Sequence, residues 1–252
     1  MDGIHAKNPK THVHVDGAQA WGAFNHDLTA MDCDSYSAGS HKWFLGPKET
    51  GLLYMKKECI PNFAPKDIGY NGEMNPPPTL DDDLTKEFPI KDASKFEMVG
   101  QRNDTNIIGL LYTADLLELI GFQKIEDRIK KLTSLLLEGL DNVLQNLPRR
   151  VYEIETPLAD HQHHGIVVLK FTEGPRGSRG QESKVKEGEN RRESEWSEFV
   201  YNALYEDHKI GVSVKKGNRM RLSPHIYNTE KHIDRVVRAI ETVLRDELLI
   251  EK

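Results

Sequence analysis

The sequence predicts an α/β fold in two parts: a partial, mostly parallel-sheet domain over about residues 1–120 and a smaller α/β domain over 121–252. Three observations carry this. Short apolar runs that end in turn residues read as strands in both halves. Residues 124–147 place apolar side chains at three- and four-residue steps, as an amphipathic helix does. Strands and helices alternate along the chain instead of forming separate blocks.

The elements follow in order. Residues 11–15 form a weakly alternating strand that stops at Asp16-Gly17, a turn pair. Residues 33–37 and 51–55 are two further strands, the second entered through Gly46-Pro47. The stretch 61–95 is rich in Pro, Asp and Gly and lacks periodicity, which fits a functional or interface loop. A helix over 105–120 has apolar residues at 107, 108, 111, 116, 119 and 120 on one side. In the helix over 124–147, Ile125, Ile129, Leu132, Leu136, Leu140, Val143 and Leu147 recur at three- and four-residue steps, and Pro148 closes it. Residues 164–171 make the strongest strand signal in the chain. Residues 173–194 are nearly all charged or small and read as a solvated, disordered insertion. A helix over 195–208, strands over 211–214 and 219–222, and a capped helix over 229–249 complete the pattern.

Composition excludes some roles. A net charge of −6 argues against nucleic acid or an anionic membrane as partner. No run of about 18 apolar residues predicts a membrane span. Two cysteines, Cys33 and Cys59, give no disulfide framework and fit a reducing cytoplasm. His161-Gln-His-His164 has no ordered set of further ligands, so it reads as a loop entering a strand and no metal site is predicted.

Two runs carry chemistry. His14-Val-Asp-Gly-Ala-Gln-Ala places a carboxylate at a strand end, and Ser35-Tyr-Ser-Ala-Gly-Ser-His-Lys-Trp places a lysine among small residues and a histidine. A carboxylate and a lysine converging on one pocket suit pyridoxal phosphate (PLP): the amine forms a Schiff base, and the carboxylate keeps the ring nitrogen protonated.

With Gly46-Pro-Lys-Glu-Thr-Gly-Leu-Leu-Tyr, Phe96-Glu-Met-Val-Gly-Gln-Arg-Asn-Asp-Thr and Arg221-Leu-Ser-Pro-His-Ile-Tyr-Asn-Thr, these runs resemble class V aminotransferases. That group of fold-type-I PLP enzymes includes cysteine desulfurases and isopenicillin N epimerase-like enzymes. The resemblance covers nearly the whole chain except 173–194, and it matches the C-terminal portion of such enzymes. It implies that the preceding part of the family's fold carries the helix end that grips the cofactor phosphate and the residue that stacks on the ring.

The resemblance implies a role for each site residue. Lys42 is the Schiff-base lysine and the catalytic base, and Asp16 is the partner of the ring nitrogen. Ala18 lies against the ring, Gln19 donates to its phenolic oxygen, and His41 contacts cofactor or phosphate. Ser37 and Ser40 are the alternative hydroxyls for the phosphate, because Gly39 stands where relatives often have Ser. Gln101 replaces a threonine that reaches the neighbouring subunit's cofactor, so a homodimer with shared sites is implied. Arg221 takes the carboxylate of a small amino-acid substrate. The expected activity is transamination, racemisation or lyase chemistry. The alternative is a truncated, weakly active fragment. The loop over 214–219 has no cysteine, which disfavours the usual desulfurase nucleophile.

Overall fold

The computed structural model describes residues 2–63, 65, 92–97, 100, 102–159, 163–172 and 196–250. Gln101, the 173–194 insertion and most of the 61–95 stretch lie outside the described residues. The chain divides into two compact units, Met1–Ile125 and Glu126–Lys252.

In the first unit, α1 (Asp2–Lys7) precedes β1 (His14–Asp16), α2 (Leu28–Met31), β2 (Ser35–Gly39) and β3 (Gly51–Met55). The strands form one sheet in the order β1-β2-β3. β1 runs parallel to β2 with Asp16 opposite Ser37, and β2 runs antiparallel to β3 with Gly39 opposite Gly51. Cys33, Tyr36 and Ala38 are buried, with Val15, Trp21 and Tyr54 packed on them. At the other edge of this core the Asp34 carboxylate accepts the Val13 N–H at 2.7 Å and meets His5 at 2.9 Å and Lys56 at 3.6 Å. These contacts anchor α1 and the end of β3 to the start of β2.

α3 (Asp104–Ile120) begins at a clear cap. The Asn103 side chain accepts the Thr105 N–H at 3.1 Å, and Asp104 places a negative charge at the positive helix end. Gly121, at φ 93°, ends it and gives its N–H to the Leu117 carbonyl. Leu117 is buried, but Ile107, Ile108, Leu111, Tyr112, Leu116 and Leu119 are exposed, Leu119 at 84%. The apolar side read from the sequence therefore faces outward.

The second unit has its own core. α4 (Phe122–Asn146) lays Leu132, Leu136, Leu140 and Val143 on a four-stranded antiparallel sheet of order β4-β5-β7-β6. Its strands are β4 (Tyr152–Ile154), β5 (Val167–Phe171), β6 (Ser213–Lys215) and β7 (Arg219–Leu222). α5 (Trp196–Glu206) and α6 (Glu230–Ile250) complete the core with Trp196, Val200, Ile240 and Leu244. The Thr229 hydroxyl caps α6 by accepting the His232 N–H at 3.3 Å. Arg128 on α4 holds the first residue of α6, giving N–H to both Glu230 oxygens at 2.6 and 3.1 Å. β4, three residues long, had no signal in the sequence reading. No single helix among the described residues is long and apolar enough to cross a membrane.

Candidate active site

The first sheet ends in a pocket of about 670 Å³, within the usual range for small-molecule sites. Its wall includes Asp16 and His14 from β1, Ala18 from the following turn and Ser37 from β2. Phe96 and Glu97 close it from a 3-10 turn over Ala93–Glu97. Asp16 is exposed, and its Oδ1 accepts the Ala18 N–H at 2.9 Å, which fixes the carboxylate at the strand end.

Two glycines let the loop after β1 take its path. A Cβ on Gly17 would lie 1.9 Å from Cζ of Tyr36. Gly22, at φ 89°, would place one 2.5 Å from the Phe44 backbone. The loop is thereby pressed onto the residues that follow β2. Trp21 stacks on Phe44 at 4.0 Å, and Gln19 Oε1 accepts the Trp43 indole N–H at 3.0 Å. The carboxylate run and the lysine run are therefore bound to one another by Gln19 and Trp21 on one side and Trp43 and Phe44 on the other.

Lys42 is half-buried in the turn that leaves β2. It does not line the pocket, although Gly39, at the start of that turn, does. Ser40 is fully buried and its hydroxyl is used inside the turn, meeting the carbonyls of Pro47 at 2.8 Å and Thr50 at 3.1 Å as well as the Thr50 hydroxyl. Leu45, held at φ 61°, gives its N–H to the Lys42 carbonyl at 3.1 Å. Strain of this kind persists only where surrounding contacts dictate it. His41 is exposed.

The structure thus brings Asp16, Ala18 and Ser37 to one pocket, links Gln19 to the residue after Lys42, and keeps the Ser40 hydroxyl internal. Of the two hydroxyls weighed for the phosphate, Ser37 is the one that faces the pocket. Gln101 lies outside the described residues. The sequence reading gave no role to His14, Phe96 or Glu97. For His14 a signal existed: His14 and Asp16 are two apart on a strand, which puts both on one face. Phe96 and Glu97 follow a long irregular stretch that gives no local cue to what it adjoins.

Arg221 lies on β7 in the second unit, opposite Val168 and Ser213. Its neighbour on the same strand face, Arg219, is neutralised by Glu155 through two hydrogen bonds of 2.6 Å. Arg221 differs: its Nε is buried and has no acceptor among the described residues. Buried donors are nearly always paired, so this one fits an external acceptor such as a carboxylate.

Burial pushes the Tyr36 phenol up to about 12, with the nearby Cys33 and Asp16 adding to the shift, so it stays protonated. Burial also raises both thiols, Cys33 and Cys59, which keeps them from acting as ready thiolate nucleophiles.

The residues present fit PLP. A carboxylate in the pocket wall, a methyl side chain near it in sequence and a hydroxyl on the adjacent strand suit a flat protonated ring, and the lysine turn is bound to the same loop.

Comparison with known proteins agrees. Residues 2–174 match the family described as aminotransferase class-V. A probable cysteine desulfurase of Staphylococcus epidermidis strain ATCC 12228 is 28% identical over 237 residues, covering 91% of this chain and 49% of that protein. One from Staphylococcus aureus strain Mu50 is 27% identical with the same coverage. The chain thus spans about half the length of the curated relatives it matches. Among solved structures, the apo cysteine desulfurase of Thermococcus onnurineus NA1 superposes with a TM-score of 0.70 at 23% identity, over 97% of this chain and 55% of that one. A C-DES mutant with glycine covalently linked to its PLP cofactor superposes at 0.58 with 20% identity, over 89% and 50% of the two chains. The fold is that of the fold-type-I PLP enzymes, and PLP is the cofactor of the matched family. The chain belongs to the class V aminotransferase family.

Proposed function

We propose that this chain carries the lysine- and carboxylate-bearing part of a PLP-dependent enzyme that acts at Cα of a small amino acid. The observation that carries the reading is the locked pair of loops: Asp16 lines the pocket, and its loop is bound through Gln19–Trp43 and Trp21–Phe44 to the turn that holds Lys42. PLP, when bound, supplies an electron-withdrawing ring in conjugation with Cα. Asp16 holds a proton on the ring nitrogen. Lys42 would hold PLP and would serve as the general base that takes the Cα proton. Arg221 would hold the substrate carboxylate through its planar guanidinium.

The relatives' names favour cleavage of a C–S bond over transamination. Lys42 would take the Cα proton, the electron pair of that bond would form a Cα=Cβ bond, and the sulfur would leave Cβ as a thiolate with the C–S pair. The loop over 214–219 has no cysteine and burial raises the Cys33 and Cys59 thiols, which favours departure of the sulfur without transfer to a cysteine of this chain. The reading includes a homodimer with the site at the subunit interface, and residence in the cytoplasm.

The test is borohydride reduction in the presence of PLP, followed by peptide mapping. The expected result is a reduced adduct on Lys42 that is absent from Lys42→Ala. An adduct on some other lysine in both proteins would sink the reading.

A further inference from the structure

Polar groups of β1, of β2 and of His12 just before β1 form a chain that runs to the pocket. His12 Nε2 meets Ser35 Oγ at 2.8 Å, Ser35 Oγ meets His14 Nδ1 at 2.7 Å, and His14 Nε2 meets Ser37 Oγ at 3.1 Å. Ser35 is buried at 2% exposure, so its hydroxyl has no access to water in exchange for these partners. Ser37 lines the pocket opposite Asp16.

Proton counting limits the arrangement. Ser35 has one hydroxyl proton and two imidazole neighbours. When Ser35 donates to His14 Nδ1, the neutral His14 carries its proton on Nε2 and donates to Ser37. The Ser37 O–H is then directed into the pocket as a donor. When Ser35 donates to His12 instead, His14 donates from Nδ1 and its Nε2 accepts the Ser37 proton. Ser37 then offers the pocket only lone pairs. We propose that His14 is a positioning residue which, through the chain His12–Ser35–His14–Ser37, sets whether Ser37 gives or takes a hydrogen bond in the pocket.

An acceptor oxygen in the pocket, phosphate or carboxylate, selects the first arrangement. The identity of that acceptor as the PLP phosphate or a substrate carboxylate rests on the function proposed above; the relay itself does not. The other charged groups around β1 are Asp16 and Glu97 at the pocket, and Asp34, which is engaged with His5, Lys56 and the Val13 N–H. Lys95 is turned away, giving its protons to the carbonyls of Ile60 and Phe63.

The experiment is two-bond 1H–15N correlation on chain labelled with 15N-histidine, at about pH 8, where ordinary histidines are neutral. In the ligand-free protein His14 should occupy one tautomer predominantly. Ser35→Ala should return it to a mixture, and Ser35→Thr, which keeps the hydroxyl, should restore the bias. Saturating PLP should raise the Nε2–H to Nδ1–H ratio about tenfold, the ratio that one net hydrogen bond of ordinary strength supports. Ser37→Ala should abolish that response. Identical His14 tautomer ratios in wild type, Ser35→Ala and Ser37→Ala would overturn the relay. So would an unchanged ratio on adding PLP to a protein in which Lys42 is trapped. If no PLP is trapped but Ser35→Ala still shifts the tautomer, the cofactor reading falls and the relay stands.

Discussion

Gly22 holds a position no other residue can take without moving the site. It combines φ 89° with a Phe44 backbone 2.5 Å from where a Cβ would be. Gly22→Ala is expected to cost about 2 kcal/mol or more in urea unfolding, the scale of backbone strain combined with a steric clash. It should also loosen the lysine turn, visible as a change in Trp21 and Trp43 fluorescence. Wild-type stability in this variant would mean that the two loops are not locked. Arg221→Lys keeps the charge but loses the planar fork. It should weaken amino-acid binding by about 1.5–3 kcal/mol while PLP binding is unchanged, measured by titration. Asp34 gives a pH signature. The Val13 N–H holds its carboxyl below the usual range, burial opposes this, and His5 and Lys56 add to the lowering. A lowered folded-state pKa contributes stability that is present above the unfolded value, about 3.9. It is lost as pH falls through the lower folded value. Asp34→Asn should therefore have a lower urea midpoint than wild type at pH 6, and the gap should shrink toward pH 3; a gap that is constant with pH would show that the carboxylate charge is not what matters. The pocket positions of Asp16 and Ala18 were legible in a run whose chemistry is local, whereas Lys42 lies in the adjoining turn and does not line the pocket. The Ser37/Ser40 choice was not legible. It depends on the turn over 40–50 folding back so that Pro47 and Thr50 take up the Ser40 hydroxyl.

At the scale of elements, periodicity revealed the long helices and the three strands of the first sheet, each within a few residues. It missed β4, whose three residues are too few to show alternation, and α1, whose six carry no apolar stripe. α3 shows the deeper limit. An apolar face in a sequence reports a surface that favours cover, not whether the chain supplies it. Ile108, Leu111, Tyr112 and Leu119 are at least half exposed. Exposed apolar area of this kind promotes association. The double variant Leu111→Gln/Leu119→Gln is expected to stay within about 0.5 kcal/mol of wild-type stability, as surface changes do, and to scatter less light at high concentration. A loss of about 2 kcal/mol or more would show that these side chains are packed against something.

At the scale of the whole molecule, the two units differ in how their cores are built. The buried cluster of the second unit runs from Leu132 to Leu248 and includes Tyr152, Leu169, Trp196, Met220 and Ile240, all of its own chain segment. Among the described residues, the sheet cluster of the first unit has three buried residues, Cys33, Tyr36 and Ala38, with five partly buried neighbours, and Ala23, Trp43, Phe44 and Ile60 are buried outside it. Burial of apolar surface is the main favourable contribution to folding, so independence should follow core size. Residues 121–252 begin at the glycine that ends α3, keep α4 whole and retain every member of the larger cluster. Expressed alone, this segment is expected to fold cooperatively, with a urea m-value in the range of about 1–3 kcal/mol/M that small domains show. Its near-ultraviolet circular dichroism should carry the signal of Trp196, which is fully buried and packed edge-on to Phe199 at 5.6 Å. Residues 1–120 alone should unfold at lower urea. A segment 121–252 that binds hydrophobic dye, lacks the near-ultraviolet signal and melts without a transition would mean that its core needs the first unit to form.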